Sequence, residues 1–317
     1  MKLEEQVTTR CDCVGVVGLG LIGGSIALGL QARGWRVHGL VRNYGTAKRA
    51  KQLGLATQIS TDPAVLKSCN VIILALPLAT LLRPENSLVR ALPVMSVVTD
   101  VGSVKAPVLQ VWHTLHPRFV AGHPMAGKSQ SGMEAGDANL FCDRPWVITP
   151  QGDTDQRALE IVQQLVGTLG SYCLSIDAIE HDQAVALISH LPVFVSAALL
   201  RAVGNYNDPA MRQLSMILAS SGFADTTRVG GGNPELGTAM ASYNTGALLR
   251  GLAAYRRNLE QLEQIVISNN WSQLYRELTL AHDLRPGFIS RPNLKMTPQV
   301  RDLSQLEADD KPSGPTG

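Results

Sequence analysis

Val14-Gly15-Val16-Val17-Gly18-Leu19-Gly20-Leu21-Ile22-Gly23 is an apolar stretch that runs directly into a GxGxxG turn. The apolar residues before the turn predict a buried β-strand. Ile22, Ile26 and Leu30 share one face of the segment that follows, which predicts an amphipathic helix. Glycines of this spacing between a strand and a helix are the dinucleotide fingerprint. The sequence therefore predicts a dinucleotide whose phosphates lie at the N-terminus of the helix.

The end of the second predicted strand, Val37–Val41, indicates which dinucleotide binds. An NAD site carries an Asp or Glu about 20 residues beyond the glycines, where it binds the ribose 2′-hydroxyl. This chain has Arg42-Asn43 at that point, and residues 13–61 contain no acidic residue. An arginine accepts a 2′-phosphate that a carboxylate would repel, so NADP is the predicted cofactor; the alternative is an exposed arginine at a strand end. The predicted cofactor contacts are Gly18, Gly20, Leu21, Ile22, Gly23, Arg42, Asn43, Thr46, Leu76, Pro77 and Ser103.

Composition and charge narrow the class of protein. A chain of 317 residues with 45% hydrophobic residues is long enough for about two soluble domains. A formal net charge of +2 gives no argument for nucleic acid or for an anionic membrane. No apolar run approaches the roughly 18 residues of a membrane span. Five cysteines without metal-ligand spacing, and the lack of a signal peptide, predict a reduced cytoplasmic protein with no metal site.

The first half of the chain alternates strand-like and helix-like segments, which predicts a Rossmann-type, doubly wound parallel sheet in an α/β domain at residues 13–176. Residues 1–12 are a short N-terminal extension in this division. The predicted strands are Val14–Val17, Val37–Val41, Val71–Leu76, Val97–Asp100, Phe119–Ala121, Trp146–Thr149 and a short one near Cys173–Ile176, with a helix at Asp155–Leu169.

From residue 177 to 284 the pattern predicts an all-α domain for dimerisation and substrate binding. Ala178–Val203 is predicted to be a long apolar helix that bends at Pro192. Asn233-Pro234 is a helix start, and Ser272–His282 is a further helix. Helices that are apolar on more than one face are expected to be buried in a homodimer. Residues 285–317, rich in proline, serine and charge, are predicted to be a disordered tail.

Two polar segments follow predicted strands of the first domain, where ligands bind in doubly wound sheets. His123, in the predicted loop Gly122–Gly127, is expected to be a general base because histidine titrates near neutral pH. A purely structural histidine is the alternative. Ser103, in the segment Asp100–Lys105, is expected near the nicotinamide, with a helix N-cap as its alternative or additional role.

The second domain offers further candidates. His190, beside Pro192, is expected to face a cleft, whereas His181 is expected to be a surface or interface histidine. The glycine-rich segment 220–234 is predicted to be a long functional loop between helices. In it, Arg228 is suited to a bidentate contact with a substrate carboxylate and Asp225 to orienting that arginine. The alternative for both is a surface loop with a structural salt bridge.

Five motifs in this order resemble the prephenate/arogenate dehydrogenase family of tyrosine biosynthesis. The resemblance spans about residues 12–283 and is strongest to the cyanobacterial type, which favours arogenate and NADP. The motifs are Gly18–Ser25, Asp100–Lys105, Gly122–Gly127, Ile188–Pro192 and the segment 225–234.

The resemblance implies an oxidative decarboxylation of a small cyclohexadienyl substrate. Hydride leaves ring C4 for the nicotinamide and the C1 carboxylate departs as CO2. By resemblance, His123 accepts the proton of the C4 hydroxyl and Ser103 supports it. Arg228 binds a substrate carboxylate in a cleft that His190 lines. The implied substrate contacts are His190, Arg228, Asp225 and Ser129, with Asp225 acting across a dimer.

One departure from the family pattern bears on the substrate. The segment Lys128-Ser129-Gln130-Ser131 lacks the acidic residue that some prephenate-preferring members carry. The choice between the pyruvyl side chain of prephenate and the alanyl side chain of arogenate therefore stays open on this segment.

Two other functions compete with this one. A hydroxyacid or imine reductase has the same domain plan, but the hydroxyacid type uses a lysine base in its second domain, and residues 178–283 contain no lysine. A non-catalytic NADP-sensing module is the other alternative. Substrate-dependent change of NADPH absorbance distinguishes both from a prephenate or arogenate dehydrogenase.

Overall fold

A computed structural model describes residues 13–128, 130–289 and 301–302. The predicted extension at residues 1–12 and the predicted substrate contact Ser129 lie outside the described residues. The chain forms two compact units. The first is Met1–Asp182 with Pro298–Gly317, and the second is Gln183–Thr297.

Six parallel strands form the main sheet of the first unit, as the apolar segments predict. They are β1 (Cys13–Val17), β2 (Arg36–Leu40), β3 (Gln58–Ser60), β4 (Val71–Leu74), β5 (Val97–Asp100) and β6 (Phe119–Val120). Their order is β3-β2-β1-β4-β5-β6. β2 and β3 therefore lie on one side of β1, and β4, β5 and β6 lie on the other side, with the switch point between β1 and β4. This switch point is where an open α/β sheet binds its ligand. β3 escaped prediction because it has a single apolar residue, Ile59.

A second sheet contains β7 (Gly122–Pro124), β8 (Pro145–Ile148), β9 (Tyr172–Ser175) and β10 (Arg301–Asp302). Its order is β10-β9-β8-β7, and β7 pairs antiparallel with β8. The prediction that the strands near Trp146 and Cys173 extend the main sheet was therefore wrong. The prediction of a loop at residues 122–127 was also wrong in its first half, because residues 122–124 pair with β8 as a strand.

The helices of the first unit are α1 (Leu21–Gln31), α2 (Tyr44–Gln52), α3 (Leu78–Leu82), α4 (Asn86–Ala91), α5 (Ala106–Leu115) and α6 (Gln156–Thr168). Ile26 and Leu30 of α1 are fully buried in one core cluster with the strand residues Val14, Val16 and Ile73. Burial of each such side chain contributes about 1.5–3 kcal/mol. The core therefore holds the glycine-rich turn rigidly between β1 and α1.

The second unit is helical, as predicted, and follows α7 (Ala178–Val185), which begins in the first unit. Ala186–His190 forms a π-helical turn before α8 (Leu191–Gly204). Pro192 has no N–H to donate to the carbonyl of Ile188, which favours the wider i→i+5 pattern. The remaining helices are α9 (Pro209–Leu218), α10 (Ser221–Thr227), α11 (Pro234–Tyr243), α12 (Thr245–Ile267) and α13 (Trp271–Ile289).

Two expectations for this half need correction. The predicted loop at 220–234 contains α10, and α13 runs to Ile289, so residues 285–289 are helical. Arg301–Asp302 pairs with β9, while residues 290–300 and 303–317 of the predicted tail lie outside the described residues. The described chain also contains one helical stretch, Ala178–Gly204, that is long and apolar enough by length and composition to cross a membrane; it has 27 residues, and an 18-residue window within it has a mean hydropathy of 1.8. Polar residues such as Ser189, His190 and Ser196 interrupt this stretch, so it is not one continuous apolar run.

Candidate active site

Glycine occupies each of the three fingerprint positions for a different structural reason. Gly18 has φ of 90°, and a Cβ there would lie 2.3 Å from the carbonyl oxygen of Ala75. A Cβ on Gly23 would lie 1.9 Å from the carbonyl oxygen of Gly18, so the helix could not approach the turn. A Cβ on Gly20 would meet no atom within 4 Å. Gly20 therefore borders open space where a ligand can approach the backbone.

That space is a cavity of about 600 Å³ at the carboxyl ends of β1, β2 and β4. Seven of the predicted cofactor residues line it, namely Gly18, Gly20, Arg42, Asn43, Thr46, Leu76 and Pro77. Leu21, Ile22, Gly23 and Ser103 do not line it. The sequence did not indicate other residues in its wall, among them Thr61, Thr80, Glu85, Ser87, Gly132 and Met133. The cavity has the volume of a small-molecule site.

The charge pattern of the cavity wall favours an anionic ligand near β2. Arg42 is exposed and, within the described residues, makes no hydrogen bond or ion pair. Asn43 caps α2 by accepting a hydrogen bond from the backbone N–H of Thr46 at 2.9 Å. The first turn of α2 contains no acidic side chain. A cationic side chain beside a helix N-terminus suits a phosphate.

His123 belongs to a hydrogen-bonded chain of three side chains. Its Nδ1 lies 2.9 Å from Nε2 of His181, and Nδ1 of His181 lies 2.7 Å from Oδ1 of Asp182. Asp182 also accepts hydrogen bonds from the backbone N–H groups of Lys105 at 2.7 Å and Ala106 at 2.9 Å. An acceptor-only carboxylate makes Nδ1 of His181 the donor and Nε2 the acceptor, so Nδ1 of His123 donates. This arrangement makes Nε2 of His123 the basic nitrogen, as in a catalytic triad.

Two buried charges hold the two peptide groups that flank Gly122, the residue before His123. The Lys105 ammonium and the Asp100 carboxylate form an ion pair with both side chains fully buried. Lys105 Nζ donates to the carbonyl oxygen of Gly122 at 2.6 Å, and Asp100 Oδ1 accepts from the N–H of Gly122 at 3.1 Å. Burial lowers the pKa of Lys105 from its usual value, and the Asp100 carboxylate opposes that shift. We call this group of three residues, Asp100, Lys105 and Gly122, the peptide clamp.

Two sequence expectations change here. His181 is buried and bonded to His123, so the prediction of a surface or interface histidine was wrong. Ser103 is partly exposed, precedes the N-cap residue Lys105 of α5, and makes no hydrogen bond to a described residue. The partner of Nδ1 of His123 is thus His181, whereas the sequence assigned the supporting role to Ser103. Asp182 and the peptide clamp were missed because their roles depend on contacts between distant segments.

The second unit contains the other predicted residues. His190 ends the π-helical turn, is fully buried, and its Nδ1 lies 3.4 Å from Nδ2 of Asn244. Arg228 and Asp225 are exposed, and neither forms an ion pair with a described residue, so the alternative of a structural salt bridge is not observed. Both lie in or beside α10, not in a loop.

The segment that carries Arg228 is tied to α8. Ser196 Oγ donates to the carbonyl oxygen of Thr226 at 2.8 Å and accepts from the N–H of Gly230 at 2.9 Å. A Cβ on Gly230 would lie 2.3 Å from the backbone nitrogen of Ala197, so glycine alone permits this approach. The backbone on either side of Arg228 is thereby held while its side chain stays exposed.

One group of side chains could hold a metal ion, although the sequence predicted no metal site. Cys13, His38 and Cys69 offer ligand atoms that all lie within 4.8 Å of one another, the one such group among the described residues. Burial and the neighbouring Cys13 raise the pKa of the Cys69 thiol. The sequence spacing hid the group because its members come from three separate segments.

Comparison with known proteins identifies the family. The family model for the nucleotide-binding domain of prephenate dehydrogenase matches residues 26–174, and the model for its dimerization domain matches residues 177–280. The prephenate dehydrogenase of Bacillus subtilis (strain 168) is 29% identical over 283 residues, which are 87% of this chain and 76% of that protein.

Two solved structures are similar along most of the chain. Synechocystis arogenate dehydrogenase is 40% identical with a TM-score of 0.74, covering 87% of this chain and 100% of that one. Prephenate dehydrogenase from A. aeolicus, solved with hydroxyphenyl propionate and NAD+, is 25% identical with a TM-score of 0.82 and covers 87% and 98%. The two family models together span most of the chain, and this protein belongs to the prephenate dehydrogenase family of oxidoreductases.

Proposed function

We propose that this enzyme is an NADP-dependent arogenate dehydrogenase, which converts L-arogenate to L-tyrosine. The observation that carries the chemistry is the chain from Asp182 through His181 to His123, which makes one ring nitrogen a base. The similarity to Synechocystis arogenate dehydrogenase supports the choice of substrate. The alternative is a prephenate dehydrogenase that gives 4-hydroxyphenylpyruvate, as the Bacillus subtilis and A. aeolicus relatives support.

Bound NADP supplies the hydride acceptor for ring C4. Gly18 and Gly20 leave room for the pyrophosphate, and the N-terminus of α1 faces it without an acidic residue in its first turn. Arg42, beside the capped N-terminus of α2, takes the 2′-phosphate. The carboxylate that an NAD site needs at this position is missing. These features support NADP over NAD. Of the remaining predicted contacts, Leu21, Ile22 and Gly23 contact the cofactor from the glycine-rich turn, and Ser103 contacts it at the nicotinamide end.

His123 takes the proton of the C4 hydroxyl at Nε2 while the substrate is oxidised. His181 holds the opposite nitrogen of the ring, and Asp182 holds His181, so the imidazolium that forms is stabilised by a carboxylate one ring away. The peptide clamp secures the backbone immediately before His123 from both its N–H and its carbonyl side. The base therefore needs little reorganisation before the proton moves.

The substrate carboxylates require a cation, and Arg228 supplies it. Arg228 is exposed on a backbone that Ser196 and Gly230 hold in place. Asp225 orients the substrate or Arg228, and His190 and Ser129 complete the substrate contacts. Substitution Arg228→Ala should mainly raise KM, since it removes binding shared by the ground state and the transition state. An unchanged KM would move the carboxylate contact to another residue.

The enzyme acts as a cytoplasmic homodimer through its second domain, residues 177–284. α9 and α13 bury none of their residues within one chain, although both carry large apolar side chains. The match of residues 177–280 to a dimerization domain supports a second copy as their cover. Burial in this dimer also explains the apolar stretch 178–204 without a membrane.

The test is a set of initial rates with arogenate or prephenate and with NADP or NAD. Turnover mainly with arogenate and NADP is the expected result. Faster turnover with prephenate would replace the substrate but keep the His123 chemistry. Faster turnover with NAD would remove the phosphate role of Arg42. Absence of turnover in all four combinations would contradict the proposed activity.

A further inference from the structure

Cys13, His38 and Cys69 form a cluster that the dehydrogenase chemistry does not use. Sγ of Cys13 lies 3.4 Å from Sγ of Cys69, and Sγ of Cys69 lies 3.7 Å from Nδ1 of His38. Both cysteines are 3% exposed, while His38 is half-buried. We call these three residues the thiol–imidazole cluster. Cys13 and Cys69 are free thiols, and the imidazole of His38 lies beside Cys69.

Strand register brings the cluster together. Cys13 and Gly15 lie on the same face of β1 because side chains alternate along a strand. Gly15 pairs with His38 in the neighbouring strand β2, so His38 shares that face. Cys69 comes just before β4, and a Cβ on Gly15 would lie 3.3 Å from its Sγ. The missing side chain at Gly15 therefore leaves room for Cys69 between the two strands.

We propose that the thiol–imidazole cluster is a structural binding site for a Zn²⁺ ion. Two thiolates and an imidazole are ligands that zinc prefers, and tetrahedral zinc sites of this kind need one more donor. The carbonyl oxygen of Val65 is within reach, 3.0 Å from Nδ1 of His38 and 3.9 Å from Sγ of Cys69.

The charge of the two thiolates and the partial exposure of His38 also favour zinc. Two thiolates neutralise a divalent ion, and a neutral complex is the least costly one in buried surroundings. A monovalent soft ion such as Cu⁺ would leave a net negative charge there. Half-buried His38 gives the ion an entry path, since the two cysteines are closed off from solvent. The imidazole then turns its nitrogen from the Val65 carbonyl to the metal.

The position of the cluster indicates a structural role. Cys13 begins β1 and Cys69 precedes β4, so both lie at the amino ends of the parallel strands. The cofactor cavity lies at the carboxyl ends of the same strands. A zinc ion bound here would tie β1, β2 and the segment before β4 together. It would leave the proton transfer at His123 unchanged.

The test measures the zinc content of the chain and the absorption spectrum of its cobalt-loaded form, and it does not use turnover. The full chain, purified with reductant and loaded with ZnCl2, should retain about one zinc per chain after gel filtration, in line with a closed structural site. Loading with Co²⁺ should give a thiolate-to-cobalt charge-transfer band and intense tetrahedral d–d bands. Both signals should disappear in Cys13→Ser and in Cys69→Ser. Cys142→Ser and Cys173→Ser are matched controls that should keep them.

A second measurement tests the site even if the cysteine variants do not fold. Saturating zinc should raise the Tm of the unsubstituted chain by about 5–10 °C, as expected for an ion at 100 times its Kd. His38→Gln, which leaves both buried thiols in place, should abolish most of that shift. A chain that retains no zinc and gives no cobalt–thiolate band overturns the site. Binding that survives in Cys69→Ser overturns it as well.

Discussion

The two units of this chain differ in how completely each is packed by its own residues. In the first, strands β1, β4 and β5 are buried along their whole length, and α1 buries most of one side against them. In the second, α9 and α13 bury no residue. The buried apolar side chains of its described residues are Val185, Ala186, Met240, Ala247, Leu248 and Ile265.

The two units also differ in how their candidate site residues are held. The first unit holds His123 by side chains and backbone groups of its own, so the proposed base is positioned by one chain. The second unit presents Arg228 and Asp225 as exposed charges without an ion-pair partner among the described residues. Under the proposed function, a second copy and the substrate would supply the partners of these two charged groups. Four predictions test this contrast, from the largest expected effect to the smallest.

Replacement of the base tests the self-contained first unit most directly. His123→Asn should lower kcat by about 10²–10⁴-fold, because it removes general base catalysis. The Kd for NADP, measured by fluorescence quenching, should not change, since His123 does not line the cofactor cavity. His113→Asn, on an exposed face of α5, is the control and should keep normal turnover. Normal turnover in His123→Asn would remove the catalytic assignment.

The second prediction concerns the residue at the far end of the hydrogen-bonded chain. Asp182→Asn should lower kcat by about 10²-fold, because an amide can donate to His181 and favour the wrong tautomer of both rings. The pH profile of kcat should shift as well, which a merely structural defect would not cause. Glu180→Gln, an exposed neighbour on α7, is the matched control. Equal rates in both variants would show that Asp182 does not set the tautomer.

The third prediction tests the incomplete packing of the second unit. Ile217 in α9 is 72% exposed, and Val94 in the first unit is 68% exposed. Ile217→Asp should weaken dimerisation by about 10- to 100-fold, because a charge would be buried in the interface. Val94→Asp should leave it unchanged. Sedimentation velocity at several concentrations measures both, and a stable dimer of Ile217→Asp would place the interface on other helices.

The smallest expected effect is on cofactor choice. Arg42→Asp should shift the ratio of kcat/KM for NADP and NAD by about 10-fold or more towards NAD, since a carboxylate repels the 2′-phosphate. Arg90→Asp, an exposed arginine on α4 outside the cavity wall, controls for net charge. A ratio that stays the same in Arg42→Asp would leave the 2′-phosphate without a ligand in this wall.

Local pattern was enough to predict most elements near the site. The first strand, the glycine turn and α1 follow from neighbouring residues, because apolar periodicity and glycine spacing act over a few positions. Arg42 was predicted in the cofactor site because its distance from the glycines is set by one helix and one strand. β7 was missed because Gly122-His123-Pro124 has no strand signal, and its pairing with β8 comes from a segment some 20 residues away.

The sequence by itself determined the fold class, the dinucleotide turn and the residue His123 as a candidate base. The tertiary structure alone decided what holds that base: the bond to His181, the carboxylate of Asp182 and the peptide clamp. It also decided that Cys13, His38 and Cys69 meet. The reason is physical. Periodicity encodes which face of an element is buried, whereas the meeting of side chains from distant segments depends on strand register and packing, which no local pattern records.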